Sequence, residues 1–283
     1  MSLSGKAILA GVIGWPVAHS KSPRLHGYWL DLYGIDGVYL PLPVRPENLD
    51  YVLHALPRMG FKGVNLTLPH KEMALSQVDR LDPLAARIGA VNTIVVSENG
   101  MLEGYNTDAF GFLENLRQCC PDIDPAAETA VVLGAGGAAR AVVAALIDAG
   151  CREIRLANRS PARAWALAEA LALPGESEIL SVAWEDRADA LDGAGLLVNT
   201  TRLGMVGEPA LEIDLAALPH RAAVCDIVYT PLTTDLLHRA ALRGNRTVDG
   251  LGMLLHQARP GFSKWFGIMP DVTADLRMLM ETS

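Results

Sequence analysis

The sequence predicts an α/β protein built from two units, and three observations carry the prediction. Short apolar runs alternate with amphipathic stretches along the chain, the pattern of strands covered by helices. A strand-like run at 130–133 passes directly into Gly134-Ala135-Gly136-Gly137-Ala138-Ala139 and then into a long helical stretch. A polar, Pro-bearing segment at 121–128 separates that stretch from what precedes it, and 283 residues suit two modest cores better than one.

The first unit reads as strands at 7–13, 38–42, 64–68 and 93–96, with helices at 23–33, 47–59 and 83–88. That alternation predicts a mostly parallel sheet with helices packed on it. A helical run at 108–119 leads to the polar segment. The second unit repeats strand and helix: 130–133, 138–149, 153–157, 161–171, 196–200, 223–227 and 234–242. Near-continuous apolar strands between helices predict a doubly wound parallel sheet buried on both faces. Two more helices, 253–266 and 272–280, close the chain, and the sequence shows no fixed-period repeat.

Composition excludes several classes. Lys and Arg number 24 against 32 Asp and Glu, a formal charge of −8, which argues against a nucleic-acid or acidic-membrane surface. Cys119, Cys120, Cys151 and Cys225 form no paired motif and have no His at ligand spacing, so neither a metal site nor a disulfide framework is expected. The first residues lack the apolar run of a signal peptide, and no segment approaches the roughly 20 apolar residues that span a bilayer, so a cytoplasmic protein is expected.

The glycine-rich turn has a mechanical reading. Gly134 permits a tight turn, Gly136 lets the backbone approach a pyrophosphate, and small Ala139 lets the helix pack close to the strand. The N–H groups of the helix start, among them those of Gly137 and Ala138 beside Ala135, then receive phosphates. A glycine triplet alone is weak evidence, but strand before and helix after give it the context of a dinucleotide site. The next strand ends in Ala157-Asn158-Arg159-Ser160, with Arg163 one helical turn on. An acid there would bind a ribose 2′-hydroxyl, whereas guanidiniums pair with a 2′-phosphate and Asn158 reaches the ribose, so the cofactor expected is NADP.

Polar clusters crowd the loops of the first unit: His19-Ser20-Lys21-Ser22-Pro23, Asn65-Leu66-Thr67-Leu68-Pro69-His70-Lys71, Gly89-Ala90-Val91-Asn92-Thr93 and Asn106-Thr107-Asp108. Alternation puts Asn65 and Thr67 on one face of their strand, as suits a small polyhydroxylated or carboxylated substrate. Lys71 and Asp108 are the obvious acid–base pair, able to take a hydroxyl proton during alcohol oxidation and return it in reverse.

These clusters resemble the shikimate dehydrogenase family, in order and across nearly the whole chain. The resemblance also takes in Gly14–Pro16, Asn199-Thr200-Thr201, Asp226-Ile227-Val228-Tyr229-Thr230-Pro231 and Gly250-Leu251-Gly252-Met253-Leu254-Leu255-His256-Gln257. It implies an oxidoreductase that interconverts 3-dehydroshikimate and shikimate with NADP, on the route to aromatic amino acids. Lys71 and Asp108 would be its catalytic pair. Ser20, Ser22 and Tyr229 would hold the substrate carboxylate, Asn92, Asp108 and Gln257 its hydroxyls, with Asn65 and Thr67 alongside. Thr200, Gly250 and Met253 would join the cofactor-binding residues. It further implies a substrate domain at 1–107, completed by a C-terminal segment 250–283 that packs back on it, and a Rossmann-type NADP domain at 108–249, with a homodimer left open. A paralogue acting on quinate, with broader cofactor use, shares the same residues, and a non-catalytic NADP-binding sensor is a more distant reading.

Two positions depart from the family pattern: Gly27 stands where Asn is usual, which implies a longer or looser start to the neighbouring helix, and Arg202-Leu203 where small residues or Pro are common. Arg202 is read as a cofactor contact or as solvated. His19, His70 and His256 read as packing and loop-shaping residues, and Trp15, Trp29 and Trp265 as core.

Overall fold

The computed structural model describes residues 3–172, 175 and 177–282. It divides into two compact units, Met1–Thr107 with Gln257–Ser283, and Asp108–His256.

Unit 1 holds a six-stranded sheet in the order β2-β1-β3-β5-β6-β4, formed by β1 (Ile8–Gly14), β2 (Gly37–Pro43), β3 (Phe61–Leu66), β4 (Arg80–Leu81), β5 (Thr93–Val96) and β6 (Leu102–Tyr105). The pairs β1/β2, β1/β3 and β4/β6 are parallel, while β5 runs antiparallel to both its neighbours. The helices are α1 (Ser22–Leu32), α2 (Leu49–Ala55), the single turn α3 (His70–Met73) and α4 (Pro83–Ile88). The expected helix at 47–59 is broken: 3₁₀ turns at Pro46–Asn48 and Pro57–Met59 flank α2, and Pro57, with no N–H to bond back into the helix, ends it, whereas Pro46 opens its own turn where no such N–H is needed.

Helix α4 shows how locally its bounds are written. Asp82 accepts hydrogen bonds from the Leu84 and Ala85 amides, Pro83 occupies the first turn, and Gly89 ends the helix in the left-handed region at φ 73°. The core under this sheet includes Ile13, Leu49, Leu53, Phe61, Val64 and Ile94, all buried.

The end of the chain belongs to this unit. Helix α9 (Gly250–Phe266) enters it from Gln257 onward, and α10 (Ala274–Glu281) follows. Trp265 donates its indole N–H to the Ile94 carbonyl, and Trp29 donates to Asp271. A side chain on Gly63 would put its Cβ within 2.2 Å of the Trp265 indole nitrogen, so only glycine lets the tryptophan cross β3 there. Trp29 and Trp265 are core, as expected, but Trp15 is 41% exposed, with the Arg45 guanidinium 4.9 Å over its ring. Gly27 does not loosen the helix start: α1 begins at Ser22 and runs through it, and a Cβ there would meet nothing.

Unit 2 opens with α5 (Asp108–Cys119) and contains β7 (Thr129–Leu133), α6 (Gly137–Asp148), β8 (Glu153–Ala157), α7 (Pro161–Leu171), β9 (Glu178–Val182), β10 (Leu196–Asn199), β11 (Ala223–Asp226), α8 (Asp235–Leu242) and β12 (Arg246–Val248). All neighbouring strands are parallel, in the order β12-β11-β10-β7-β8-β9. That is the doubly wound 3-2-1-4-5-6 order, whose reversal of direction lies between β7 and β10. Strands β7 and β10 are central and almost wholly buried. Helix α6 buries Ala139, Ala141, Ala144 and Ala145 among its larger residues, and such short side chains let it lie close to the sheet.

The four cysteines are free, and only Cys119 is exposed. Among the described residues no helix is long and apolar enough to cross a membrane, and no group of three or more His, Cys, Asp or Glu is placed to hold a metal ion.

Candidate active site

In unit 1 the polar clusters converge through a buried hydrogen-bond network. The Asn65 amide nitrogen donates to the Asn92 main-chain carbonyl at 3.1 Å and to Thr93 Oγ1 at 3.0 Å. A main-chain carbonyl only accepts, so the orientation of this amide is fixed and both its hydrogens are used. Asn65 Oδ1 then accepts the Tyr39 hydroxyl at 2.6 Å, and Ser22 bonds to the same phenol. Any hydrogen-bonding capacity left to the Asn65 amide is therefore that of an acceptor.

Asn92 is held by its neighbours as closely. Its Oδ1 accepts the Thr107 amide at 2.8 Å, and its Nδ2 donates to Thr107 Oγ1 at 3.0 Å and to Gln257 Oε1 at 3.3 Å. Ser20, Ser22, Asn65, Thr67, Lys71, Asn92 and Gln257 thus all belong to unit 1, and Ser22, Asn65 and Asn92 are buried there. The strand expected to reach residue 68 ends at Leu66, and Leu68 is exposed. Thr67 stays in register through its amide, which donates to Ile13, and its carbonyl accepts the first amide of α3. Lys71 follows on that turn, and its own carbonyl accepts the Val91 amide at 2.8 Å, latching the lysine's backbone beside Asn92.

Of the histidines in these motifs, His19 is exposed rather than packed, while the others do structural work. His70 bonds the Val44 carbonyl at 2.8 Å, and His256 bonds Gln118 at 2.8 Å. His26 is buried, stacked at 3.9 Å on Tyr39, and burial drives its pKa down to about 3, so the ring is neutral. Tyr39 is not among the residues expected at the site, whereas the polar cluster at 89–93 points to Thr93. The polar cluster at 106–108 pointed to Thr107, but Tyr39 lies on a strand among apolar residues and has no sequence signal.

Asp108 and Tyr229 belong to unit 2, where Asp108 is the buried first residue of α5 and Tyr229 follows β11. Burial raises the Tyr229 pKa above that of a free phenol, which keeps its hydroxyl protonated as a donor. Asp226, at the end of β11, accepts the Val228 amide and the Asn199 Nδ2, each at 3.0 Å, on one oxygen and the Thr234 hydroxyl at 2.7 Å on the other. Asn199 Oδ1 in turn accepts the Thr201 amide, so one carboxylate ties the loop after β10 to the loop that carries Tyr229.

The glycine turn fits a dinucleotide. Gly134 has φ 113°, and a Cβ on it would come within 2.6 Å of Thr200 Oγ1, which itself donates to the Leu133 carbonyl at 2.6 Å. Gly136 caps α6, and a Cβ on it would project into open space, the room a phosphate needs over the helix N-terminus. A cavity of about 390 Å³ at this turn is lined by Gly134, Ala135, Gly136, Asn158, Arg159 and Thr200, all expected at the cofactor. Trp184, Thr201, Arg202, Leu203, Glu208 and Pro209 complete its wall. Arg202 is exposed and paired with Glu208 at 2.6 Å, at the rim. Gly137 and Ala138 lie in the first turn of α6 and Arg163 in that of α7, while Gly250 and Met253 open α9, outside this cavity's lining.

Comparison with known proteins follows the same division. Residues 12–94 match the shikimate dehydrogenase substrate-binding domain, 119–202 the shikimate/quinate 5-dehydrogenase model and 250–278 the shikimate 5′-dehydrogenase C-terminal domain. A shikimate dehydrogenase (NADP(+)) of Paramagnetospirillum magneticum is 64% identical over 97% of this chain and 98% of its own. The chain belongs to the shikimate dehydrogenase family. Among solved structures, the shikimate 5-dehydrogenase of Thermus thermophilus in complex with NADP(H) and shikimate is 41% identical, with a TM-score of 0.83 over 97% of each chain. The quinate dehydrogenase of Corynebacterium glutamicum in complex with NAD is 32% identical, with a TM-score of 0.88 over 98% of each chain.

Proposed function

We propose that this chain is an NADP-dependent shikimate dehydrogenase that reversibly reduces 3-dehydroshikimate to shikimate, a cytoplasmic enzyme of aromatic amino-acid biosynthesis. The observation that carries the reading is the convergence in unit 1 of Ser22, Asn65, Asn92, Thr107 and Gln257 in one hydrogen-bonded patch, with Lys71 latched beside it. Such a patch suits a small ring bearing several hydroxyls, each needing a donor or acceptor of defined polarity. The relatives named for shikimate and NADP support the substrate and the cofactor.

The site residues divide by task. Ser20, Ser22 and Tyr229 present hydroxyl donors for the carboxylate, and Asn92, Asp108 and Gln257 bind ring hydroxyls, with Asn65 and Thr67 beside them. Lys71 and Asp108 form the acid–base pair: Lys71 Nζ exchanges the proton of the reacting oxygen and stabilises charge on it, and the Asp108 carboxylate orients that hydroxyl. The cofactor, when bound, supplies the two-electron acceptor or donor. Gly134 to Ala138 hold its pyrophosphate, Asn158 its ribose, and Arg159 and Arg163 its 2′-phosphate, with Thr200, Gly250 and Met253 completing the set. Residues 1–107 with 250–283 are proposed as the substrate domain and 108–249 as the cofactor domain, although α9 divides between the two compact units at Gln257 rather than at Gly250.

An absorbance assay of nicotinamide reduction with shikimate and NADP tests the proposal. Folded protein without turnover overturns it. Quinate and NAD, tested alongside, address the quinate-dehydrogenase reading that the Corynebacterium neighbour raises. With Asn158 and Arg159 where an NAD enzyme carries an acid, NADP is expected to be preferred.

A further inference from the structure

Trp184 lines the cofactor cavity, yet it belongs to no motif and is not accounted for by the reading above. Its place in the sheet says which part of the cavity it walls. In the pairing of β8 with β9, Ala157 stands opposite Val182. Arg159 and Trp184 each lie two residues beyond that pair, so they leave the carboxyl ends of adjacent strands at the same level. Strand β9 lies at the edge of the sheet, on the far side of β8 from the β7 turn. A dinucleotide whose pyrophosphate sits on the α6 N-terminus, with a 2′-phosphate at Arg159, extends its adenosine half toward β8 and β9 and its nicotinamide half toward β10.

The indole is also held in place. Trp184 is half-buried and packs against the core that includes Leu191, Ala194 and Leu211. The Arg187 guanidinium lies over its ring at 4.7 Å, and Arg187 is fixed in turn by bonds to the Trp184 and Glu212 carbonyls. An anchored aromatic surface opening on a pocket loses little freedom when a flat ligand packs on it.

We propose that Trp184 is a cofactor-binding residue that walls the adenine end of the pocket, its indole supplying the apolar surface on which the purine packs. The inference rests on the NADP reading, and 2′,5′-ADP, which carries the adenine, the ribose and the 2′-phosphate but no nicotinamide, separates the two. Trp184→Ala is expected to raise the KM for NADP and the inhibition constant of 2′,5′-ADP by the same factor, about tenfold, in the range found for base–aromatic packing. The change should fall on the cofactor KM rather than on kcat or on the KM for shikimate. Trp184→Phe keeps an aromatic ring and is expected to restore most of the affinity. In the unsubstituted protein 2′,5′-ADP should quench tryptophan emission, and in Trp184→Phe, still binding, that quench should be lost. Trp184→Ala with NADP and 2′,5′-ADP constants within twofold of the parent protein overturns the assignment. Failure of the parent protein to bind 2′,5′-ADP overturns the NADP reading and this assignment with it.

Discussion

Asp226 offers a test in which structure predicts both sign and size. Its carboxylate is buried, and desolvation pushes its pKa from 3.8 up to about 6 against the three hydrogen bonds that favour the charged form. An acid whose pKa is raised on folding contributes its full stability below the unfolded value, and that contribution is lost as pH rises through the folded value. A rise from 3.8 to about 6, at about 1.4 kcal/mol per tenfold change in proton affinity, comes to about 3 kcal/mol in all, with about 2 kcal/mol falling between about pH 4.5 and 7.5. Asp226→Asn is neutral throughout. It keeps an oxygen for the Val228 amide and Asn199, and it loses the acceptor for Thr234, a cost of about 1 kcal/mol that does not depend on pH. Urea unfolding of both proteins from about pH 4.5 to 7.5 should show the stability of Asp226→Asn relative to the parent climbing by about 2 kcal/mol. Parallel stability curves, or a relative stability that falls with pH, would refute the reasoning.

Other perturbations address the residues proposed to act on the substrate or hold the cofactor. Gly134→Ala places a Cβ 2.6 Å from Thr200 Oγ1 at φ 113°, so the turn must shift, and a rise of at least about tenfold in the NADP KM is expected from strain of about 1–2 kcal/mol plus loss of the phosphate cradle. Lys71→Ala should lower kcat by about 10²–10⁴-fold in the shikimate assay with the NADP KM little changed, and unaltered turnover would assign the proton transfer elsewhere. Arg159→Ala should reduce the preference for NADP over NAD by about 10- to 100-fold, as loss of charge-assisted bonds to a 2′-phosphate predicts. Arg163→Ala should act more weakly, since Arg159 lines the cavity and Arg163 does not; equal effects in kinetics with both cofactors would show that the two share the phosphate.

The elements that were plain in the sequence are those whose residues face a core on a regular period. Strands at 153–157 and 93–96 and the helices at 83–88, 108–119 and 161–171 have the bounds that the apolar pattern indicated. The strands that escaped notice are β4, β6, β9 and β12. They are short or lie at a sheet edge: β9 is too exposed to alternate, with Glu178, Leu180 and Ser181 all reaching solvent, whereas β6 does alternate but over four residues only. An edge strand is defined by the neighbour it pairs with rather than by burial of its own side chains, and pairing is non-local information. The antiparallel entry of β5 is likewise invisible in its apolar residues, because strand direction depends on the connection and not on the composition of the strand.

The same distinction separates the site residues that sequence exposes from those it hides. Ser20, Asn65, Lys71 and Asn92 stand out because polar groups in loops and at strand ends need a reason to be there. Tyr39 and Trp184 do not, and Asp226 is marked only by the motif it opens: a tyrosine in an apolar strand, an acid at the end of a buried strand and a tryptophan past an edge strand each pass for ordinary packing. Only their partners give them a role. Tyr39 takes its meaning from Asn65, whose amide has no other orientation open to it, and Asp226 from the two loops it joins. Trp184 takes its meaning from standing level with Arg159. In this fold the residues that meet a ligand can be legible one at a time, whereas those that hold them in register are legible only in pairs.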